Sequence, residues 1–533
     1  MEGKMRKIIH SNAIFDVHTE TVFNGYIVIM NDVIEAVVNQ KNWTDDFSGE
    51  FFEFGDNMIV PGFIDAHIHF YLSALLHSGK IKSITGQSEV EVANQVDTIA
   101  TVNGWKIGIG WFSSDFGQNI YPTHHSIDKV CNDTPVMLIS GDAHSVWFNQ
   151  SALDSLAITT QALPTDLSGE ALQDQDGLTG CFTEAIAIHY LAKVLQPFKK
   201  SAAKDYLTYM KRLNQIGITS IADVALSGES WDEFIYPEIY EAIKGEATVR
   251  VSFYPAMRQE TTHLTQLAHQ FQDDWVQFGG VKQFFDGVTS THTAYLKQEY
   301  ATPYFKNDVG GPLLPIEKMR ALILQANQMG WPIRIHTIGD QAIHSALCFY
   351  QESAQMYPLK SGVYNTLEHL EVMDPNDLPL TDQEHLVISV QPSHLLVGYE
   401  TLDEEVGPDR ASKMFPFHSL LRANGRLAFG TDSPVVVDVT PMDTIYYASS
   451  RRGKNGLPEQ PLMPHEKLTV GQAIVAHTLG AAKAISREDL GEISSGKKAD
   501  LCVLSKNLLA LQEDEWSDCS VLRTMISGNW VWM

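Results

Sequence analysis

PGFIDAHIHF, residues 61–70, begins with two helix-breaking residues and continues as a strand-like run that carries two histidines one residue apart. On a strand, His67 and His69 share a face, with Cα atoms roughly 6–7 Å apart, so both imidazoles can reach one cation. The pair alone does not decide between a metal site and two buried rings, because 20 histidines in 533 residues produce about one such spacing by chance. Its surroundings carry the decision.

Short apolar runs that end in polar residues recur along the chain: IVPGFIDAHIHF, ITSIADV (218–224), VRVSFYPA (249–256), GVKQFFDG (280–287), PIRIHTIGD (332–340), NTLEHLEV (365–372), LVISVQPSH (386–394) and RLAFGTDSP (426–434). Amphipathic stretches lie between them, among them SAAKDYLTYMKRLNQIG, PIEKMRALILQANQMG and TVGQAIVAHTLGAAKAI. Eight strands alternating with helices predict an α/β fold, a (β/α)8 TIM barrel whose chemistry sits at the strand C-terminal ends. Residues 60–482 are assigned to it. The gap after the first strand, 70–217, is too long for a connection and is read as an insertion over the barrel mouth, with WKIGIGWF and PVMLISGD as strands of its own. The N-terminal segment reads as short strands and so does the C-terminal one, which predicts a composite β-sandwich domain from 1–59 and 483–533.

A formal net charge of −27 repels nucleic acid and anionic lipid surfaces, and no apolar run approaches a membrane span. Five scattered cysteines without a CxxC pair suggest neither a disulfide framework nor a thiolate zinc site, and fit a reducing cytoplasm. The expected partner is a small-molecule substrate; a homo-oligomer is compatible with the sequence.

Other strand ends repeat the pattern set by His67 and His69. IRIHTIGD places His336 at the end of the fifth strand, TLEHLEV places His369 at the end of the sixth, and AFGTDSP places Asp432 at the end of the eighth. Each singly reads equally well as a satisfied buried polar residue. Together, four imidazoles and a carboxylate converging on a barrel mouth form the N/O donor set that suits Zn2+ or a similar divalent metal.

With these motifs in place, the chain resembles the amidohydrolase superfamily, in its YtcJ-like, amidohydrolase family 3 branch. The carriers are VPGFIDAHIHF, GITSIADV, VKQFFDGVTSTHTA, IRIHTIGDQAI, LEHLEV, VQPSH, AFGTDSPV and LGEISSGKKADLCVL, in that order. The resemblance implies a metal-dependent hydrolase of an amide or cyclic amide C–N bond. It implies that His67, His69, His336, His369 and Asp432 hold one or two metal ions, and that Asp432 is the proton-accepting base. Lys282 stands where many binuclear members carry a carboxylated lysine; an ion pair with Asp286 is the alternative. Glu184 is either a second bridging carboxylate or a first-turn helix acid. Asp142, His144 and His394 are candidate pocket contacts, with capping or hydrogen bonding as the competing roles. Trp111, Phe112 and Trp147 are candidate apolar walls or simply core. His292 replaces an arginine common in similar proteins. A mononuclear deaminase-type enzyme and a non-catalytic binding barrel are the rival readings.

Overall fold

The computed structural model describes residues 6–44, 48–116, 121–165, 167–228, 233–436 and 438–533. Nine parallel strands organise its centre: β1 (Phe63–Ile68), β2 (Ile218–Val224), β3 (Arg250–Tyr254), β4 (Val276–Phe278), β5 (Val281–Phe284), β6 (Ile333–Thr337), β7 (Asn365–His369), β8 (Leu386–Val390) and β9 (Leu427–Phe429). They form two sheets, β1-β2-β3-β4 and β5-β6-β7-β8-β9. Nearly every residue of these strands is buried, as expected of parallel strands covered on both faces.

Hydrogen bonds link the two sheets at both edges. The Lys282 amide donates to the Pro255 carbonyl (2.8 Å) and the Met257 amide to the Lys282 carbonyl (2.7 Å), while the Asp432 amide donates to His67 (2.8 Å) and the His69 amide to Ser433 (2.9 Å). The expected fourth strand, 280–287, is β5, and an unexpected short strand, β4, precedes it in the other sheet, broken from it at Gly279–Gly280. Gly280 has φ +139°, and a Cβ there would meet the Pro332 carbonyl oxygen at 2.2 Å. Only glycine permits that bend, and beyond it Lys282 is set into the interior.

The helix expected over TVGQAIVAHTLGAAKAI is interrupted by a π-helical turn, Ala476–Gly480. Gly480 packs so closely on β9 that a Cβ would lie 1.9 Å from the Leu427 carbonyl oxygen. Strands from both chain ends share one eight-stranded sheet, in which Met58–Pro61 pairs with Arg6–Asp16 on one side and Leu501–Leu504 on the other. The expected strands of the insertion form Lys106–Trp111 and Val136–Ser140 in a separate six-stranded sheet. No helix among the described residues is long and apolar enough to cross a membrane.

Candidate metal centre

The C-terminal ends of β1, β6, β7 and β9, with Lys282 near the start of β5, bring His67, His69, Lys282, His336, His369 and Asp432 to the floor of one cavity of about 410 Å3. All six side chains are buried. Ring centres of His67 and His369 lie 5.0 Å apart, and those of His336 and His369 4.5 Å apart. One ligand atom from each of His67, His369 and Asp432 fits within 4.8 Å of the other two.

The outer hydrogen bonds fix which nitrogen faces inward. His67 Nδ1–H donates to Glu368 Oε2 (2.9 Å), and His69 Nδ1–H donates to the Val224 carbonyl (3.0 Å). Both acceptors lack a proton, so Nε2 of each ring presents a lone pair to the interior, the arrangement that metal-binding imidazoles require. These lone pairs meet the Asp432 carboxylate: His69 Nε2 is 3.1 Å and His67 Nε2 3.5 Å from Oδ1. Acceptor facing acceptor at such distances needs a cation or a proton between them. Lys282 Nζ, His369 Nδ1, His394 Nε2 and Asp432 Oδ1 are buried without hydrogen-bond partners among the described residues. Such groups are costly unless a ligand completes them, and the N/O donor set suits a divalent cation. His336 uses Nε2–H on the Gly287 carbonyl (3.1 Å), which leaves Nδ1 as its free donor atom.

Burial, with the nearby Lys282, holds His336 well below the ordinary imidazole range, and burial with His336 does the same to His369. Both rings are therefore neutral and able to donate a lone pair. Burial would raise Asp432, but His67, His394 and His69 outweigh it and hold the carboxyl well below its usual range. Asp432 and His369 also adopt φ of +55° and +75°. Left-handed backbone at non-glycine residues costs on the order of 1 kcal/mol or more and clusters at functional sites.

Four supporting residues escaped the sequence reading. Glu368 joins His67 to Arg334 (2.7 Å). Asp65 accepts from the amides of His67 (3.1 Å) and Thr431 (2.9 Å), tying β1 to the Asp432 loop. Glu371 accepts from His394 Nδ1 (2.9 Å), and His394 Nε2 lies 3.3 Å from Asp432 Oδ2. Their signal was visible as charged residues inside apolar strands, IRIH and LEHLE, where packing gives no reason for charge.

Lys282 makes no ion pair with Asp286. That carboxylate accepts instead from the amides of Tyr295, Ile338 and Gly339. Burial lowers Lys282 to about 8. Glu184, at φ +53°, accepts from His144 Nδ1 (2.8 Å) and from Thr293 Oγ1 (3.3 Å); it lines the cavity together with His144, Asp142, Phe112 and His394.

Trp111, Trp147 and His292 are not among the cavity-lining residues. Trp111 packs edge-on to Trp147 with ring centres 6.0 Å apart, in the apolar core of the inserted sheet. His292 stacks between Tyr300 and Tyr304 at 4.0 and 3.8 Å and is paired with Asp308 (2.6 Å), so it stabilises a loop behind the cavity wall.

The fold and this cluster define a metal-dependent hydrolase of carbon–nitrogen bonds other than peptide bonds. Residues 55–532 match the amidohydrolase family, and the chain belongs to that family. It is 24% identical to the putative amidohydrolase YtcJ of Bacillus subtilis over 99% of both chains. It is 23% identical to the N-substituted formamide deformylase of Arthrobacter pascens, over 88% of this chain and 87% of the relative. Among solved structures, an uncharacterized metal-dependent hydrolase from Pyrococcus horikoshii superposes with a TM-score of 0.73 at 22% identity, covering 95% of this chain and 99% of the other.

Proposed function

We propose that the two parallel sheets are the arcs of one (β/α)8 barrel, covered by the 70–217 insertion and flanked by the composite terminal domain, and that the enzyme hydrolyses an amide or cyclic amide. His67, His69, His336, His369 and Asp432 hold one or two divalent ions, zinc by the donor chemistry. The convergence of imidazole lone pairs on the Asp432 carboxylate carries this reading. When bound, a divalent ion supplies a water of lowered pKa and a Lewis acid for the substrate carbonyl oxygen.

The chain's own groups handle the protons. Asp432 accepts the proton of the attacking water and returns it to the leaving nitrogen, so one carboxylate serves both halves of the reaction. His394, braced by Glu371, sits against Asp432 Oδ2 and holds the carboxylate in place. Burial would lower His394, but the Asp432 carboxylate 3.3 Å away and the hydrogen bond to Glu371 raise it to about 10, so the ring can carry the positive charge that steadies Asp432.

As a carbamate, Lys282 would be a further ligand for the divalent ions. With its ammonium lowered to about 8, a usable fraction is free amine at neutral pH; it adds to CO2 and releases one proton, giving an anion with two donor oxygens. Glu184 is already held by His144 and Thr293, which favours Lys282 as the bridge. A formamide is the first substrate to test, by the similarity to the deformylase. Elemental analysis of purified protein should find one to two equivalents of zinc, and activity should disappear with chelation and return with Zn2+. Full activity in metal-free protein overturns the assignment.

A further inference from the structure

Away from its floor, the cavity above the cluster is lined by carboxylates as its charged groups. Carboxylates enter its lining from separate segments: Asp115 and Asp142 from the insertion, Glu371 after β7, and Glu400 and Glu405 from the segment after β8. Lys282, at the floor, is the sole lysine or arginine among the described lining residues. Of the residues outside the described set, 45–47, 117–120, 166, 229–232 and 437 contain neither type, and 1–5 contain Lys4 alone. The imidazoles His144 and His394, raised to about 9 and about 10, are held by Glu184 and Glu371 near the floor, where the divalent ions would also sit; no lysine or arginine of the lining faces Asp115, Glu400 or Glu405.

Some of these carboxylates are satisfied locally. Asp142 accepts from Ser140 Oγ and the His144 amide (3.0 Å), and Glu371 takes His394. Glu405 accepts from the neutral hydroxyls of Thr401 (2.8 Å) and Thr289, and burial outweighs them and raises its carboxyl. Asp115 is raised by burial and then by the charge of Glu400. Between these groups the wall is apolar, formed by Phe112, Ile188, Leu226, Leu402 and Phe415. A partly desolvated carboxylate such as Asp115, with the exposed Glu400 adding like charge, gains most from a ligand that brings a positive charge. The unpartnered, fully buried Lys282 Nζ and the buried Asp432 Oδ1 place the reacting end of that ligand at the floor, which leaves its other end among the carboxylates.

Resting on the hydrolase reading above, we propose that the substrate joins its scissile amide through a short apolar arm to an ammonium group, received by Asp115 and Glu400, and that amides bearing a carboxylate are turned away. The phenyl and alkyl side chains of the wall take the arm. The field of the carboxylates draws cations in and repels anions, a selection that acts on association as well as on the bound state.

Three formamides with the same five-methylene arm test this: N-(5-aminopentyl)formamide, N-hexylformamide and 6-formamidohexanoate. Binding by calorimetry and kcat/KM are measured on the zinc-loaded enzyme. The ammonium compound should exceed the carboxylate by at least about tenfold, with N-hexylformamide between. The ratio should shrink towards one in about 0.5 M NaCl, where the screening length is a few ångströms, and in Asp115→Asn and Glu400→Gln. The salt series needs no variant and so stands even if a substitution disturbs folding. If the binding order holds while no compound is hydrolysed, the charge selection stands and the amide-hydrolase reading fails. If hydrolysis occurs with equal or carboxylate-preferring values, the charge selection is overturned and the hydrolase reading stands. No binding by any of the three also overturns it.

Discussion

Asp432 combines three properties seldom found in one side chain: burial, a left-handed backbone and three imidazoles aimed at its carboxylate. An amide in its place keeps an oxygen donor and loses the ability to accept a proton. Asp432→Asn should therefore lower kcat by about 10^2–10^4-fold, the usual worth of a general base, while elemental analysis shows retained metal; wild-type turnover would remove Asp432 from the base role. Glu368 acts one step out, through His67 and Arg334, and all three are fully or almost fully buried. Glu368→Gln leaves the Arg334 guanidinium short of a charge, so unfolding by urea should show a loss of about 3–5 kcal/mol together with weaker zinc binding. Lys282→Ala removes an amine that has no hydrogen-bond partner to lose. If a carbamate bridges, this variant should drop from two metals to one and regain part of its activity with added short carboxylic acids. Two metals retained in Lys282→Ala, and one lost in Glu184→Gln, would transfer the bridge to Glu184.

At the scale of elements, the site depends on how tightly β9 lies against β1. A Cβ at Gly430 would sit 2.5 Å from His67 Cβ and 2.6 Å from its amide nitrogen. Gly430→Ala must therefore push the two strands apart. It should cost about 1–3 kcal/mol in stability and, with every donor residue still present, weaken zinc binding in a metal titration; unchanged metal affinity would show that the seam tolerates movement. Strand order and strand-end donors were legible in the sequence because buried parallel strands leave continuous apolar runs in which a polar end residue stands out. The short β4, broken from β5, and the π-helical turn were not, since Gly279–Gly280 and Gly480 are dictated by the partner backbones Pro332 and Leu427, distant in sequence. The same limit hid the difference between Phe112 and Trp111. Trp111 closes its strand and Phe112 begins the loop after it, and nothing local says which of the two meets the cavity.

At the scale of the whole molecule, a chain of charges joins the parallel strands to the sheet made from both termini. Arg250 at the start of β3 pairs with Asp500 and lies 3.4 Å from Asp274, which also meets Arg487 (2.5 Å) and Lys498 (3.1 Å); Lys498 continues to Asp32 at 3.0 Å. These residues come from the N-terminal segment, the central sheet and the C-terminal segment, so they add charge coupling to the apolar packing and to hydrogen bonds such as Thr524 Oγ1 to the Asn214 carbonyl (2.6 Å). Burial would raise Asp274, but Arg250 and then Arg487 overcome it and lower the carboxyl from 3.8 to about 2. A carboxylate depressed in the folded state stabilises fully above its unfolded value and loses that contribution as pH falls through its folded value. The melting temperature of the wild type should accordingly fall as pH drops from 3.8 towards 2, and Asp274→Asn should flatten that part of the curve. Because Asp274 is partly exposed, salt should weaken the effect. Calorimetry at neutral pH should show one transition for the terminal sheet and the central strands together. Two separate transitions in the wild type, or an unchanged acid slope in Asp274→Asn, would show that the charge chain does not couple the two regions.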